Sequence, residues 1–185
     1  DAVGEAFDKV AKMTGLPYPG GPSVAQAAAN GDPNKYQLPK SKTDGEYDFS
    51  FSGLKTAVLR LAQEQTGHDY TFHSSKLPAA LSKAQKTDIA ASFQSVAIET
   101  LVDKLKLAVE QYQPKSIVIA GGVAANHLLR SEVAKIVPAD QLFIPDIKLC
   151  TDNAAMIAAL GYFRIKSGAR AARIDKLSVE PGLQM

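Results

Sequence analysis

One short apolar run constrains the fold of this chain more than any other segment. Residues 116–120 read Ser-Ile-Val-Ile-Ala, stop at Gly121-Gly122, and lead into a helical pattern over 124–137. A continuous apolar run of this kind predicts a strand that is buried on both faces, as in a parallel sheet. A second strand over 141–144 and a helix over 152–166 repeat the alternation, which predicts an α/β architecture.

The sequence ahead of this strand is expected to be mainly helical. A polar segment over 30–46 predicts a surface loop, and the alternation over Tyr47–Phe51 predicts a short strand, after which Ser52 is expected to cap a helix. Apolar residues at three- and four-residue spacing predict helices over about 2–14, 23–29, 52–65 and, longest of all, 83–112.

Composition narrows the class of protein. The 185 residues are 45% apolar and 22% charged, which suits one globular domain, and the formal charge of +2 does not by itself indicate a nucleic-acid partner. The one cysteine, Cys150, excludes an internal disulfide, and no apolar stretch approaches the roughly 20 residues that span a bilayer. We therefore expect a cytoplasmic protein. The chain opens directly on a helical pattern, which indicates a fragment.

The first candidate site is the turn after the apolar strand, where Gly121-Gly122 precede Val-Ala-Ala and Asn126. Glycines at the carboxyl end of a parallel strand let a ligand approach the backbone, and the next helix offers its free N–H groups. The amide of Asn126 is suited to a base edge. A tight strand-to-helix turn with a satisfied surface amide explains the same residues, and both interpretations stay open.

The second and third candidates are acidic. Thr151 or Asp152 stands where a helix begins, so a helix cap explains Asp152 as well as a role as metal ligand does. Glu5 and Asp8 lie one helical turn apart, close in sequence to the Pro-Gly-Gly-Pro turn that contains Gly21. Two such carboxylates suit a ribose, but an acid-rich first turn is also what any helix prefers.

Several ordered motifs together resemble a known family. They read GEAFDK, YPGGP, DFSFSGLKT, AGGVAAN and CTDNAAMIA. In this order and spacing they are similar to the TsaD family, formerly described as O-sialoglycoprotein endopeptidase. That family transfers threonylcarbamoyl from threonylcarbamoyl-adenylate, a product of Mg-ATP, to N6 of adenosine 37 in tRNAs that read codons beginning with A. The resemblance implies the carboxyl-terminal lobe of an actin-like ATPase fold, mostly helical with a short, partly parallel sheet.

The resemblance also implies roles for particular residues. Asp8, Gly21 and Asn126 are expected to contact the adenylate, Glu5 and Gly122 belong to the same motifs, and Asp152 matches an acidic ligand of one divalent metal ion, Fe²⁺ or Zn²⁺. The expected partners are tRNA and companion subunits of the TsaB and TsaE type. The family's His-x-x-x-His metal motif and its amino-terminal lobe have no counterpart in this sequence, so the chain by itself is expected to be inactive.

We expect a single lobe over residues 1–185, with a helical part over about 1–112, a strand-helix-strand-helix part over about 115–168, and a tail over 169–185. Two alternatives remain open. One is the nucleotide-binding lobe of another actin-like enzyme, such as a carbamoyltransferase or sugar kinase, and the other is an assembly module. A peptidase is disfavoured because the sequence contains no His-Glu-x-x-His motif.

Overall fold

The computed structural model describes residues 1–40, 43–170, 175 and 178. The chain divides into two compact units, Asp1–Cys150 and Thr151–Met185. As the sequence predicts, the described part is mainly helical and contains a short parallel sheet. The first unit contains α1 (Val3–Thr14), α2 (Gly20–Ala28), α3 (Ser52–Gln65), α4 (Leu77–Ala80), α5 (Lys83–Tyr112), β1 (Ile117–Val118), α6 (His127–Ala134) and β2 (Leu142–Phe143), and the second contains α7 (Ala154–Lys166).

Helix α1 lies at the centre of the larger of two hydrophobic cores. Its apolar residues recur at three- and four-residue spacing, and Phe7 and Val10 are fully buried against α2, α3 and α5. The Phe7 ring meets the ring of Phe93 edge to face, with 4.9 Å between their centroids. Gly15 ends the helix with a φ of 74°, a conformation that favours glycine.

Helix α5 has the bounds that the sequence predicts and joins both cores. Ser82 begins it with a capping box, in which the Ser82 hydroxyl accepts from the Gln85 N–H and the Gln85 side chain accepts from the Ser82 N–H. Phe93 belongs to the core around α1, whereas Ile98 and Val102 belong to a second core with β1 and α6. The 30 residues extend about 45 Å, so one helix supports both cores.

The sheet is parallel, but only one of its faces is covered within the first unit. Ile117 pairs with Leu142, and Val118 pairs with Phe143. Ile117 packs into the second core, whereas Val118 and Phe143 are 68% and 55% exposed. The predicted burial on both faces is therefore wrong for the residues that the structure describes, because successive side chains of a strand alternate between faces and one face has no cover here.

The strand predicted over Tyr47–Phe51 is wrong, because this segment is irregular. Strands need a neighbouring strand for their hydrogen bonds, and among the described residues only β1 and β2 pair. Phe51 is instead buried in the larger core and precedes α3 as its N-cap residue. The predicted cap by Ser52 is therefore also wrong, since Ser52 is already the first residue of the helix.

The polar segment between α2 and α3 crosses the surface as a loop, which forms hydrogen bonds and ion pairs with α5. The Asp32 N–H donates to the Asp88 carboxylate at 2.9 Å, and the Tyr36 N–H donates to the Ser92 hydroxyl at 3.2 Å. Further along the loop, Lys40 forms ion pairs with two acidic side chains of α5. These bonds hold the described part of the loop against the helix.

In the second unit, Asn153 caps α7 by accepting a hydrogen bond from the Met156 N–H at 3.1 Å. The predicted cap by Thr151 or Asp152 is therefore wrong, since Asn153 occupies that position. Most of the tail over 169–185 lies outside the described residues. Among those described, no helix combines the length and the apolar character required to cross a membrane.

Phe93→Ala should lower the free energy of unfolding by about 3–5 kcal/mol, because it removes a fully buried ring from the packing around α1. Urea denaturation followed by circular dichroism measures the change. Phe49→Ala is the control, since Phe49 is half exposed and its loss should cost less than about 1 kcal/mol. Equal losses in the two variants would contradict the packing of Phe93 described here.

Candidate functional site

Asp8 joins α1 to the turn that begins α2. Its Oδ1 accepts a hydrogen bond of 2.7 Å from the N–H of Gly20, the first residue of α2. The first N–H groups of a helix have no carbonyl partner within it, and a carboxylate there also suits the helix dipole. A Cβ at Gly20 would lie 2.4 Å from the Asp8 Cα, so the close approach of the two segments requires glycine.

Gly21 is partly exposed and Glu5 is exposed. Nothing lies within 4 Å of the position that a Cβ on Gly21 would take, so its outer side is open. Glu5 stands one turn before Asp8 on α1 and forms an ion pair of 2.6 Å with Lys9. The hydrogen bond from Lys9 lowers the pKa of Glu5 below its usual value, so Glu5 is ionised at neutral pH.

The glycine-rich turn after β1 brings Asn126 to the start of α6. Gly121 adopts a φ of 89°, and a 3-10 turn over Gly122–Ala125 follows. The Asn126 Oδ1 accepts from the Leu129 N–H at 3.1 Å, and its Nδ2 donates to the Gln94 Oε1 at 2.9 Å. Asn126 is thus a satisfied amide at a tight turn, as the structural interpretation expects, although one Nδ2 proton remains for a further acceptor.

The GEAFDK helix and the AGGVAAN turn meet at the first turn of α1. A Cβ on Gly4 would lie 3.7 Å from the Val123 Cγ2, so the glycine-rich turn rests on this helix. One turn later Phe7 packs on Phe93, which precedes the Gln94 that holds Asn126. Five of the six predicted site residues therefore lie in the first unit, on α1 or on segments that contact it: Glu5, Asp8, Gly21, Gly122 and Asn126.

Sequence reasoning missed Gln94 and Arg130. The Arg130 Nε donates to the carbonyl of Ala124 at 2.6 Å, and its Nη2 donates to the carbonyl of Pro145 at 2.5 Å and contacts the Cys150 Sγ at 3.3 Å. One side chain thus joins the glycine-rich turn to the segment that follows β2. The sequence does contain one signal, because Arg130 follows Asn126 by four residues and so shares its side of α6.

Two of the hollows on the described part of the first unit differ in their lining. The smaller, of about 420 Å³, runs along α1 and is lined by Glu5, Asp8, Lys9, Ala11, Lys12, Leu16 and Tyr18. The larger, of about 580 Å³, lies among the start of the chain, the segment Tyr47–Phe51 and Leu101. It contains none of the predicted site residues, whereas two of them, Glu5 and Asp8, line the smaller hollow.

Asp152 lies in the second unit with an exposed carboxylate. Nowhere in the described residues do three His, Cys, Asp or Glu side chains gather as a metal site would require. Catalytic metal sites commonly use roughly three protein ligands, so the described part of this chain does not fit the implied metal by itself. The role of Asp152 as one ligand stays a prediction.

The groups assembled around α1 are suited to a nucleoside. Carboxylates such as Asp8 and Glu5 accept hydrogen bonds from ribose hydroxyls. The open backbone at Gly21 and Gly122 lets a ligand approach closely, and helix N-termini favour polar or anionic groups. Asn126 both donates and accepts, as contact with a base edge requires.

Comparison with known proteins identifies one family. Residues 1–159 match the family model described as TsaD: tRNA N6-adenosine threonylcarbamoyltransferase. The chain is 45% identical to the tRNA N6-adenosine threonylcarbamoyltransferase of Fervidobacterium nodosum over 182 residues, which are 98% of this chain and 50% of that protein. It is 48% identical to the enzyme of the same name from Symbiobacterium thermophilum over 172 residues, 92% of this chain and 47% of that protein.

A third relative, from Geotalea daltonii, has the same name and is 44% identical over 185 residues, 98% of this chain and 51% of that protein. The chain therefore spans about half the length of the curated relatives it matches. None of these three relatives supports the alternative of another actin-like enzyme, such as a carbamoyltransferase or sugar kinase.

Arg130→Ala should lower the free energy of unfolding by about 2–3 kcal/mol, since it leaves two part-buried carbonyls without their charged donor. It should also speed modification of the buried Cys150 by a thiol reagent, because the guanidinium lies against the sulfur. Denaturant unfolding and the labelling rate are the two measurements.

Lys135→Ala is the matched control, because Lys135 follows α6, is exposed, and forms a surface ion pair with Glu132. It should change stability by less than about 0.5 kcal/mol and leave the labelling rate unchanged. Unaltered labelling of Cys150 in Arg130→Ala would argue against the anchoring role.

Proposed function

The chain belongs to the TsaD family of tRNA N6-adenosine threonylcarbamoyltransferases, and we propose that it forms the adenylate-binding part of such an enzyme. Its α/β fold, mainly helical with a short parallel sheet, is part of the actin-like ATPase fold of that family. The contact of the GEAFDK helix with the AGGVAAN turn, through Gly4 and Val123, carries the proposal. This contact joins the segments that contain the carboxylates, the open glycines and the amide within one unit.

We assign each group a contact with threonylcarbamoyl-adenylate. Asp8 is held by Gly20 through one oxygen and has further acceptor capacity for a ribose hydroxyl. Gly21 offers open backbone at the start of α2, and Glu5 adds a second ionised acceptor. Asn126, oriented by Gln94, offers its remaining proton to the base.

The complete protein transfers the threonylcarbamoyl group to N6 of an adenosine in tRNA. A bond forms between N6 and the carbamoyl carbon, the bond from that carbon to the AMP phosphate oxygen breaks, AMP leaves, and N6 releases one proton to solvent. We propose that this chain orients the adenylate through hydrogen-bonding groups and helix N-termini that are in position before the ligand binds. This positioning contributes to the rate of transfer.

Other components belong to the same proposal. Asp152 provides one carboxylate ligand to a divalent metal ion, iron or zinc, whose other ligands lie outside the residues described here. Companion subunits of the TsaB and TsaE type assemble with the complete protein. The adenylate substrate derives from Mg-ATP.

Gly21→Ala should weaken binding of AMP, in the presence of Mg²⁺, about tenfold, equivalent to ~1.4 kcal/mol. The added methyl group enters space that is open on the protein side, so stability should not fall. Calorimetric titration of the 185-residue chain measures the affinity. Gly161→Ala in α7 is the control, because its methyl group also meets open space. Equal AMP affinity in Gly21→Ala and the parent chain would count against contact at Gly21.

A chimera tests transfer itself. When this chain replaces the matching half of the Fervidobacterium nodosum relative, radiolabelled threonine should enter tRNA, and Asn126→Ala and Asp152→Ala should each lower the rate at least about tenfold. Asn34→Ala is the control, since Asn34 is an exposed loop residue, and should transfer at the parent rate. Parent rates in both site variants would remove Asn126 and Asp152 from the site, and a folded chimera that transfers nothing would oppose the proposed function.

A further inference from the structure

Tyr18 ends the hollow along α1 and is left almost fully in solvent. Its side chain is 83% exposed, the highest value among the large apolar and aromatic residues that the structure describes as exposed. The neighbouring floor is apolar, formed by the buried Ala11 and the half-buried Leu16. An aromatic face beside an apolar floor is a surface on which a flat ring can stack.

The same hollow also contains a cation. Lys12 lies in the last turn of α1 and lines the same hollow. Lys9 is committed to ion pairs with Glu5 and Asp1, whereas the described residues give Lys12 no ion-pair partner. The hollow therefore contains both an aromatic face and a cation that has no ion pair in the described part of the chain.

This end of the hollow lies beyond the groups assigned to the adenylate. The glycine-rich turn contacts α1 at Gly4, and the Asp8 carboxylate lies one turn further along. Lys12 follows Gly4 by about 12 Å along the helix axis. The groups assigned to the base and the ribose of the adenylate thus lie along the first two turns of α1, whereas Lys12 and Tyr18 line the hollow beyond them.

We propose that this space receives an unpaired nucleobase of the substrate tRNA, which stacks on Tyr18 while Lys12 pairs with the adjoining phosphate. The inference rests on the proposed function, which makes tRNA the second reactant. Single-stranded RNA is bound by aromatic side chains that stack on bases and by cations along the backbone.

The test measures binding of a fluorescent tRNA anticodon stem-loop to the 185-residue chain. Tyr18→Ala should raise the Kd for the stem-loop about tenfold and leave the Kd for AMP unchanged, while Tyr18→Phe should retain RNA binding because the ring remains. Tyr70→Ala is the control, since Tyr70 is also an exposed tyrosine, at 74%, and does not line the hollow. Lys12→Ala should reduce the slope of log affinity against log salt by about one.

Each outcome decides the proposal. An unchanged stem-loop Kd in Tyr18→Ala, or no binding of the stem-loop by the parent chain, overturns it. A loss of AMP affinity with RNA affinity unchanged assigns the hollow to the adenylate and also overturns it. Failure of the proposed function is a separate result, because it appears as absent transfer by the chimera that retains Tyr18.

Discussion

The burial of α1 is the constraint on which the rest of the first unit depends. Phe7 and Val10 fill the core that α2, α3 and α5 share, so the axis and rotation of α1 are fixed by packing rather than by the polar residues on its outer face. That rotation directs Asp8 to the first N–H of α2 and turns Gly4 to the glycine-rich turn. A shift of α1 would disturb both contacts together.

The adjacent residues Gly20 and Gly21 differ in whether the fold requires glycine. Gly20 has no room for a side chain because the backbone around Asp8 lies against it, so folding alone requires glycine there. Gly21 has open space at the same position, and the fold gives no reason for a missing side chain. The proposed ligand, approaching the backbone at Gly21, would supply that reason. Gly122, which is equally open, extends the argument to the second turn.

The sequence predicted the parts of this molecule that local rules determine. The long helix α5 was predictable because its apolar stripe and its start at Ser82 both depend on residues that are close together in the sequence. The strand over Tyr47–Phe51 failed because alternation does not supply a partner strand. Gln94 and Arg130 could not be assigned, since their partners lie 32 and up to 20 residues away along the chain and only packing brings them within hydrogen-bond distance.

The first residues of α2 and α6 show why a structural and a functional interpretation of the same side chain can both hold. Asp8 satisfies the start of α2 and Asn126 satisfies the start of α6, and each retains hydrogen-bonding capacity beyond that task. Replacing Asn126 removes a helix cap worth about 1 kcal/mol as well as any contact with a base. Activity lost in such a variant therefore mixes two causes. Substitution at the open glycines removes no cap and no side-chain hydrogen bond, so it tests the ligand contact without that loss.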